Sequence, residues 1–180
     1  MLGGARSGKS ELGEQLAARA AERLSPAAAV TYVATAAAMA GDEDWEARVV
    51  AHRNRRPAHW KTVETAGRAD LDVVLAGLSG TALVDSLGTW VAAAPGMAVD
   101  TGALVTVLRS RAARGETTIV VSDEVGLGVH PSSESGMRFR DALGSVNRAI
   151  ASAADRALLV VAGRVVDLVR PDTVGPWIDA

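Results

Sequence analysis

The chain contains no cysteine in 180 residues. Disulfide frameworks, Cys-ligated zinc, iron–sulfur clusters and thiol catalysis are thereby excluded. An excess of positive charge is lacking too. Nineteen Lys and Arg face 21 Asp and Glu, for a net charge of −2 and a pI near 5.9. That balance argues against a broadly basic nucleic-acid surface and leaves room only for local basic clusters. No uninterrupted apolar run reaches the length of a membrane span. The opening Met1-Leu2-Gly3-Gly4 is not a cationic region followed by an apolar stretch, so no signal peptide is expected and the expected compartment is the cytoplasm. Lysine is scarce as well: 17 of the 19 cations are Arg, and only Lys9 and Lys61 are Lys. A chain that uses Arg wherever a plain positive charge suffices needs a specific reason for a lysine.

What is present is globular. The hydrophobic fraction is 48% and the charged fraction 22%, and 18.5 kDa suits one compact domain spanning residues 1–180. Leu12, Leu16, Ala20 and Leu24 recur every four residues within 8–24, predicting an apolar helical stripe. The segments 29–35 (AVTYVAT), 81–85 (TALVD) and 117–122 (TTIVVS) read as buried strands. Helices are predicted over 42–55, 101–113 and 133–154. The runs 157–162 and 164–168 flank Gly163 as a terminal strand pair. Apolar strands alternating with helices predict an α/β fold of the P-loop NTPase kind, with a mainly parallel sheet, helices on both faces and an antiparallel strand at the C-terminal edge.

The strongest motif opens the chain. Gly3, Gly4, Ala5, Arg6, Ser7, Gly8, Lys9 and Ser10 fit G-x-x-x-x-G-K-[ST] at every required position. In such a loop backbone N–H groups point at a phosphate, the lysine reaches the outer phosphates, and the Ser hydroxyl is placed for Mg²⁺. One of only two lysines fills the motif position, against the reading of an idle glycine-rich turn. Only Met1 and Leu2 precede the loop, where a full strand is expected. The strand at 81–85 ends in Asp85, a residue that in a P-loop fold holds Mg²⁺ directly or through water. Arg48, His52, Arg55 and Arg56 fall at i, i+4, i+7 and i+8, one face of the predicted helix. A solvated Arg-rich face with an incidental histidine explains this pattern. So does a neutral imidazole beside a bound triphosphate, acting as a nucleophile. The residues alone leave both readings open. His59 and His130, near Pro57 and Pro131, read as loop residues, and the tryptophans as packing.

These residues, in this order, resemble the bifunctional adenosylcobinamide kinase/adenosylcobinamide-phosphate guanylyltransferase family of cobalamin biosynthesis. The likeness rests on the loop GGARSGKS, on 32–36 (YVATA), on Arg48-Val49-x-x-His52-Arg53 and on Arg56-Pro57 followed by Trp60-x-Thr62-x-Glu64. It continues through 83–87 (LVDSL) with Trp90, 122–131 (SDEVGLGVHP), Phe139-Arg140-Asp141 with Gly144 and Asn147, and 159–163 (LVVAG). The resemblance implies a homotrimer with two activities. A nucleoside triphosphate, ATP or GTP, phosphorylates adenosylcobinamide; a histidine then takes GMP from GTP, and adenosylcobinamide phosphate accepts it to give adenosylcobinamide-GDP. It makes His52 the nucleotide-accepting residue and Lys9 its catalytic companion. It adds Thr35, Ala36, Ala37, Arg53, Asn54, Arg55, Arg56, Glu64 and Asp85 to the phosphate loop as nucleotide contacts, with Ser10 and Asp85 toward Mg²⁺. The chain departs from the family pattern at Ala51, where some members have a second histidine, at Trp45, which replaces a Met, and at Asp123, which replaces the Asn of S-N-E-V. The alternatives are a P-loop kinase without nucleotidyl transfer and a GTP-sensing module.

Overall fold

The computed structural model describes residues 1–25, 28–35, 50, 56–65 and 70–170. In chain order the elements are β1 (Leu2–Gly3), α1 (Lys9–Leu24), β2 (Val30–Ala34), β3 (Lys61–Glu64), α2 (Leu71–Ala76), β4 (Thr81–Asp85), α3 (Leu87–Ala93), a 3₁₀ turn (Pro95–Met97), α4 (Thr101–Ala113), β5 (Thr118–Asp123), α5 (Glu134–Ala153), β6 (Ala157–Val161) and β7 (Arg164–Leu168). The strands form one sheet in the order β3-β2-β4-β5-β1-β6-β7. The first six run parallel, and β7 pairs antiparallel with β6. The expected α/β architecture and its antiparallel C-terminal edge are both present. The helix expected over 42–55 lies outside the described residues, apart from Val50.

Side-chain alternation along the strands divides the core into two layers. On one face Val30, Tyr32, Leu83 and Val121 meet Ala17 and Ala21 of α1. On the other, Val33, Ala82 and Val84 meet Leu71 and Leu75 of α2, Leu87, Trp90 and Val91 of α3, Leu104 of α4, and Leu143, Val146 and Ile150 of α5. The central strands β2 and β4 are buried on both faces, which is why they read as continuous apolar runs.

The buried stripe of α1 is not the leucine stripe read from the sequence. Lys9, Gly13, Ala17 and Ala21 face the sheet, and Leu24 is 53% exposed. Small residues are required there: a Cβ on Gly13 would stand 3.1 Å from Val121 Cγ2 and 3.3 Å from Leu83 Cδ1. One consequence is functional. The close-packed face begins at Lys9, so the loop lysine enters the fold on the sheet side of its helix.

The connections open a crevice at one edge of the sheet. From β1 the chain runs through α1 to β2 on one side of the sheet; from the neighbouring β5 it runs through α5 to β6 on the other. Adjacent parallel strands whose connections diverge open a crevice at their carboxyl ends. The loop after β1 and the residues Asp123 and Glu124 border that crevice. A cavity of about 670 Å³ lies at the opposite edge, lined by Thr118, Ala157 and Leu158 at the starts of their strands.

A buried cation ties the far end of the sheet together. Arg111 of α4 is fully buried. Its guanidinium donates to Thr118 Oγ1 (2.8 Å), to the carbonyls of Leu75 (3.1 Å), Leu78 (2.7 Å) and Gly80 (2.8 Å), and pairs with Glu116 at 3.1 Å. One planar fork thereby joins α2, the turn into β4 and the start of β5, a geometry an ammonium lacks. Arg111→Met would leave those carbonyls without their donor and take from Glu116 one of its cations, Arg114 still pairing with it at 2.9 Å. We expect a loss of about 3–5 kcal/mol, read as a lower urea midpoint at unchanged slope. A loss under about 1 kcal/mol would show that this network does not hold the fold.

Candidate nucleotide-binding site

The loop joining β1 to α1 is shaped by two left-handed residues, Arg6 (φ 56°) and Gly8 (φ 93°). Such turns direct successive N–H groups toward one concavity suited to an anion. Gly4, Ala5 and Arg6 are exposed, whereas Ser7 and Lys9 are buried. Ser7 anchors the loop on both sides: its N–H donates to Gly4 C=O (3.3 Å) and its C=O accepts from Gly163 N–H (2.9 Å), in the β6–β7 turn. The Ser7 hydroxyl is buried with no partner within the protein. Lys9 bends back into the loop. Its Nζ donates to Gly4 C=O at 3.1 Å and lies 2.7 Å from Asp123 Oδ1.

Asp123 is held from its backbone. It sits opposite Gly3 in the β1–β5 ladder, and the next N–H, of Glu124, donates to Gly3 C=O at 3.0 Å. From α5, Asn147 Nδ2 donates to Asp123 C=O (3.0 Å) while its Oδ1 accepts from Ser122 Oγ (2.6 Å). On the far side, a Cβ on Gly88 would stand 2.7 Å from Asp123 Oδ2, so α3 leaves the space this carboxylate fills.

The end of β4 is organised separately. Asp85 lies between Ala34 of β2 and Val121 of β5 in register. Its Oδ2 accepts from the Tyr32 hydroxyl at 3.1 Å. Burial, with the Asp85 carboxylate beside it, pushes the Tyr32 phenol well above its usual range, so it stays a neutral donor. The Arg56 guanidinium stacks 3.9 Å from the centre of the Tyr32 ring and donates to Thr62 Oγ1 at 2.9 Å. Thr35 is fully buried. Its Oγ1 accepts from Ser86 N–H at 2.9 Å and lies 2.6 Å from Thr89 Oγ1, binding the end of β2 to the start of α3. The Asp85–Ser86 peptide is cis.

Of the residues singled out in the sequence, the structure gathers Gly3 to Ser10, Thr35, Glu64 and Asp85 along one carboxyl edge of the parallel strands. Glu64 stands opposite Ala34 at the end of β3. Arg56 reaches the same edge region through Tyr32. Ala36, Ala37, Arg48, His52, Arg53, Asn54 and Arg55 lie outside the described residues. His59 and His130 are exposed loop residues, as expected; His130 Nδ1 lies 2.9 Å from Arg140 Nη1.

Tyr32, Ser122 and Asn147 have positioning roles that no motif in the sequence assigns to them. Asn147 carried a signal in principle, being a polar residue on the buried stripe of α5. Among the described residues no cluster of three His, Asp or Glu could cage a metal. Ser10 and Asp85 instead offer hard oxygen donors beside an anion site. That donor set fits Mg²⁺, which is usually held by one or two protein oxygens and by substrate phosphates.

Two neighbouring glycines separate sterics from composition. A Cβ on Gly3 would stand 2.6 Å from both Ser7 Oγ and the Val160 carbonyl, whereas one on Gly4 meets nothing within 4 Å. Gly3→Ala should cost about 1–3 kcal/mol by overpacking and displace the loop, while Gly4→Ala should leave stability within about 0.5 kcal/mol. Thermal melts of both variants check this; equal melting temperatures would contradict the close packing at Gly3.

Comparison with known proteins agrees with this geometry. The family model described as "Cobinamide kinase / cobinamide phosphate guanyltransferase" matches residues 1–168. The bifunctional adenosylcobalamin biosynthesis protein CobP of Pseudomonas aeruginosa is 38% identical over 170 residues, covering 91% of this chain and 92% of that protein. The bifunctional adenosylcobalamin biosynthesis proteins CobU of Salmonella typhimurium and Escherichia coli are each 32% identical, over 91% of this chain and 94% of theirs. With the match spanning nearly the whole chain, from the phosphate loop to the β6–β7 hairpin, the protein belongs to the cobinamide kinase/cobinamide phosphate guanyltransferase family.

Proposed function

We propose that this chain carries out both reactions of its family on one nucleotide site, phosphorylating adenosylcobinamide and then transferring GMP to the product. The observation that carries the reading is Lys9, drawn into the left-handed loop by Gly4 C=O and Asp123 at the divergent crevice. In the first reaction the aminopropanol hydroxyl oxygen of adenosylcobinamide attacks the γ-phosphorus of ATP or GTP. The bond from that phosphorus to the β-bridging oxygen breaks, the hydroxyl proton passes to solvent, and a nucleoside diphosphate leaves. The loop N–H groups and the Lys9 ammonium hold the charge that builds on the transferring and leaving oxygens. Mg²⁺, held by Ser10 and Asp85, would offset phosphate charge when bound. Tyr32 keeps the Asp85 carboxylate in place by donating to one oxygen, and Arg56 covers the Tyr32 ring.

In the second reaction a neutral imidazole nitrogen of His52 attacks the α-phosphorus of GTP and pyrophosphate departs. A phosphate oxygen of adenosylcobinamide phosphate then attacks the same phosphorus, breaks the P–N bond and yields adenosylcobinamide-GDP. Support for His52 comes from the R-V-x-x-H-R element and from the absence of any cysteine to act instead. Thr35, Ala36, Ala37, Arg53, Asn54, Arg55, Arg56 and Glu64 are the further nucleotide contacts in this reading. The assembly is a homotrimer and the compartment the cytoplasm; among the described residues no helix is long and apolar enough to cross a membrane.

Paired variants test the proposal. Lys9→Ala should lower both rates by about 10²–10³-fold, the usual effect of removing a donor to developing charge. His52→Ala should abolish GMP transfer and leave phosphorylation within about threefold, because direct phosphoryl transfer needs no protein nucleophile. Wild type incubated with α-labelled GTP should carry an acid-labile, base-stable label, and His52→Ala none. Near-normal turnover in Lys9→Ala would overturn the loop assignment. Label remaining on His52→Ala would move the nucleophile elsewhere, and unlabelled wild type with intact phosphorylation would leave a simple kinase.

A further inference from the structure

The charge that meets an incoming nucleotide is set by a residue outside the phosphate-loop motif. Lys9 has three donors. One is directed at Gly4 C=O and one at the Asp123 carboxylate, at 2.7 Å. The Lys9 side chain is only 10% exposed and that of Asp123 35%. The carboxylate therefore caps the buried ammonium from the crevice side, the side from which a phosphate would come.

The backbone of Asp123 cannot withdraw. It is in register with Gly3 on one strand, tied to Asn147 on α5, and followed at once by the Glu124 bond to Gly3 C=O. Only its side chain can turn. A terminal phosphate seated on Lys9 would thus lie beside a carboxylate that stays within a side chain's length, and like charges at that distance repel.

We propose that Asp123 is a positioning residue that occupies Lys9 in place of the terminal phosphate and makes nucleotide binding conditional on a divalent cation. Without the cation, the nucleotide must displace one anion with another. With it, the cation would offset the phosphate charge, and Asp123 can give up the ammonium without facing an uncompensated anion. This rests on the nucleotide-site reading above, and the experiment separates the two.

The test is equilibrium binding of GTP by calorimetry, in EDTA and in excess Mg²⁺. Wild type is compared with Asp123→Asn, which keeps the shape and the acceptor oxygen but not the charge, and with Asp123→Glu, which keeps the charge. Metal-free GTP should bind Asp123→Asn at least about tenfold more tightly than wild type, while affinities in Mg²⁺ should stay within about threefold. Asp123→Glu should bind metal-free GTP as weakly as wild type. Thermal melts establish that each variant is folded, and Asp123→Ser, uncharged and smaller, takes the place of Asp123→Asn if that variant is not. Equal metal-free affinity in wild type and the uncharged variant overturns the proposal, as does tight metal-free binding by Asp123→Glu. Failure of every chain to bind GTP in Mg²⁺ overturns the nucleotide site itself, and this inference with it.

Discussion

The contact between the Lys9 ammonium and the Asp123 carboxylate, 2.7 Å long and set between β1 and β5, is the constraint to which the rest of the site answers. A buried cation needs a partner, and the fold supplies one by inserting β5 between the loop strand and the strand that carries Asp85. Everything that fixes β5 then fixes the charge on the loop. Asn147 and Ser122 secure its end from the helix side, Gly3 sets its register, and Gly88 leaves room for the carboxylate. The bare helix face of α1 belongs to the same design, since Gly13 and Ala17 bring the helix close enough for Lys9 to emerge buried.

Two acidic strand ends differ in the partners that hold them. Asp85 accepts from the neutral Tyr32 phenol, whose ring Arg56 covers, so one of its oxygens is held in place by a buried donor. Asp123 is paired directly with a cation. The two lie on adjacent strands, with Asp85 level with Val121 and so two residues short of Asp123. The carboxyl edge therefore holds one carboxylate bonded to a buried phenol and another paired with the loop lysine. Thr35, an expected nucleotide contact, directs its hydroxyl into the β4–α3 junction. The role this geometry supports for its side chain is to position that junction.

Much of this was legible in the sequence because it is local. The loop motif, the apolar runs of β2 and β4 and the Gly-centred β6–β7 pair follow from spacing within a few residues. Three elements escaped for lack of length or pattern. β3 is four residues at a sheet edge with Val63 as its one apolar side chain, and α2 and α3 span six and seven residues, too short for a helical period to declare itself. The burial face of α1 was misread because leucines outrank glycine and alanine in hydrophobicity, whereas the sheet demanded small side chains. Arg111 belongs to the helix predicted over 101–113, but its partners come from α2, the turn before β4, and β5, up to 36 residues away. Tyr32 and Asn147 act through partners 53 and 24 residues distant, and no sequence period reports such pairs.

Nucleotide binding is expected to exchange the Asp123 carboxylate on Lys9 for a phosphate. A crystal structure of the chain with Mg²⁺ and a non-hydrolysable GTP analogue tests it most directly. Lys9 Nζ should lie within about 3 Å of a terminal phosphate oxygen, with the Asp123 carboxylate turned off the ammonium while its backbone stays on Gly3 and Asn147. A bound nucleotide with Lys9 still paired to Asp123, and no phosphate within reach of the ammonium, would contradict it.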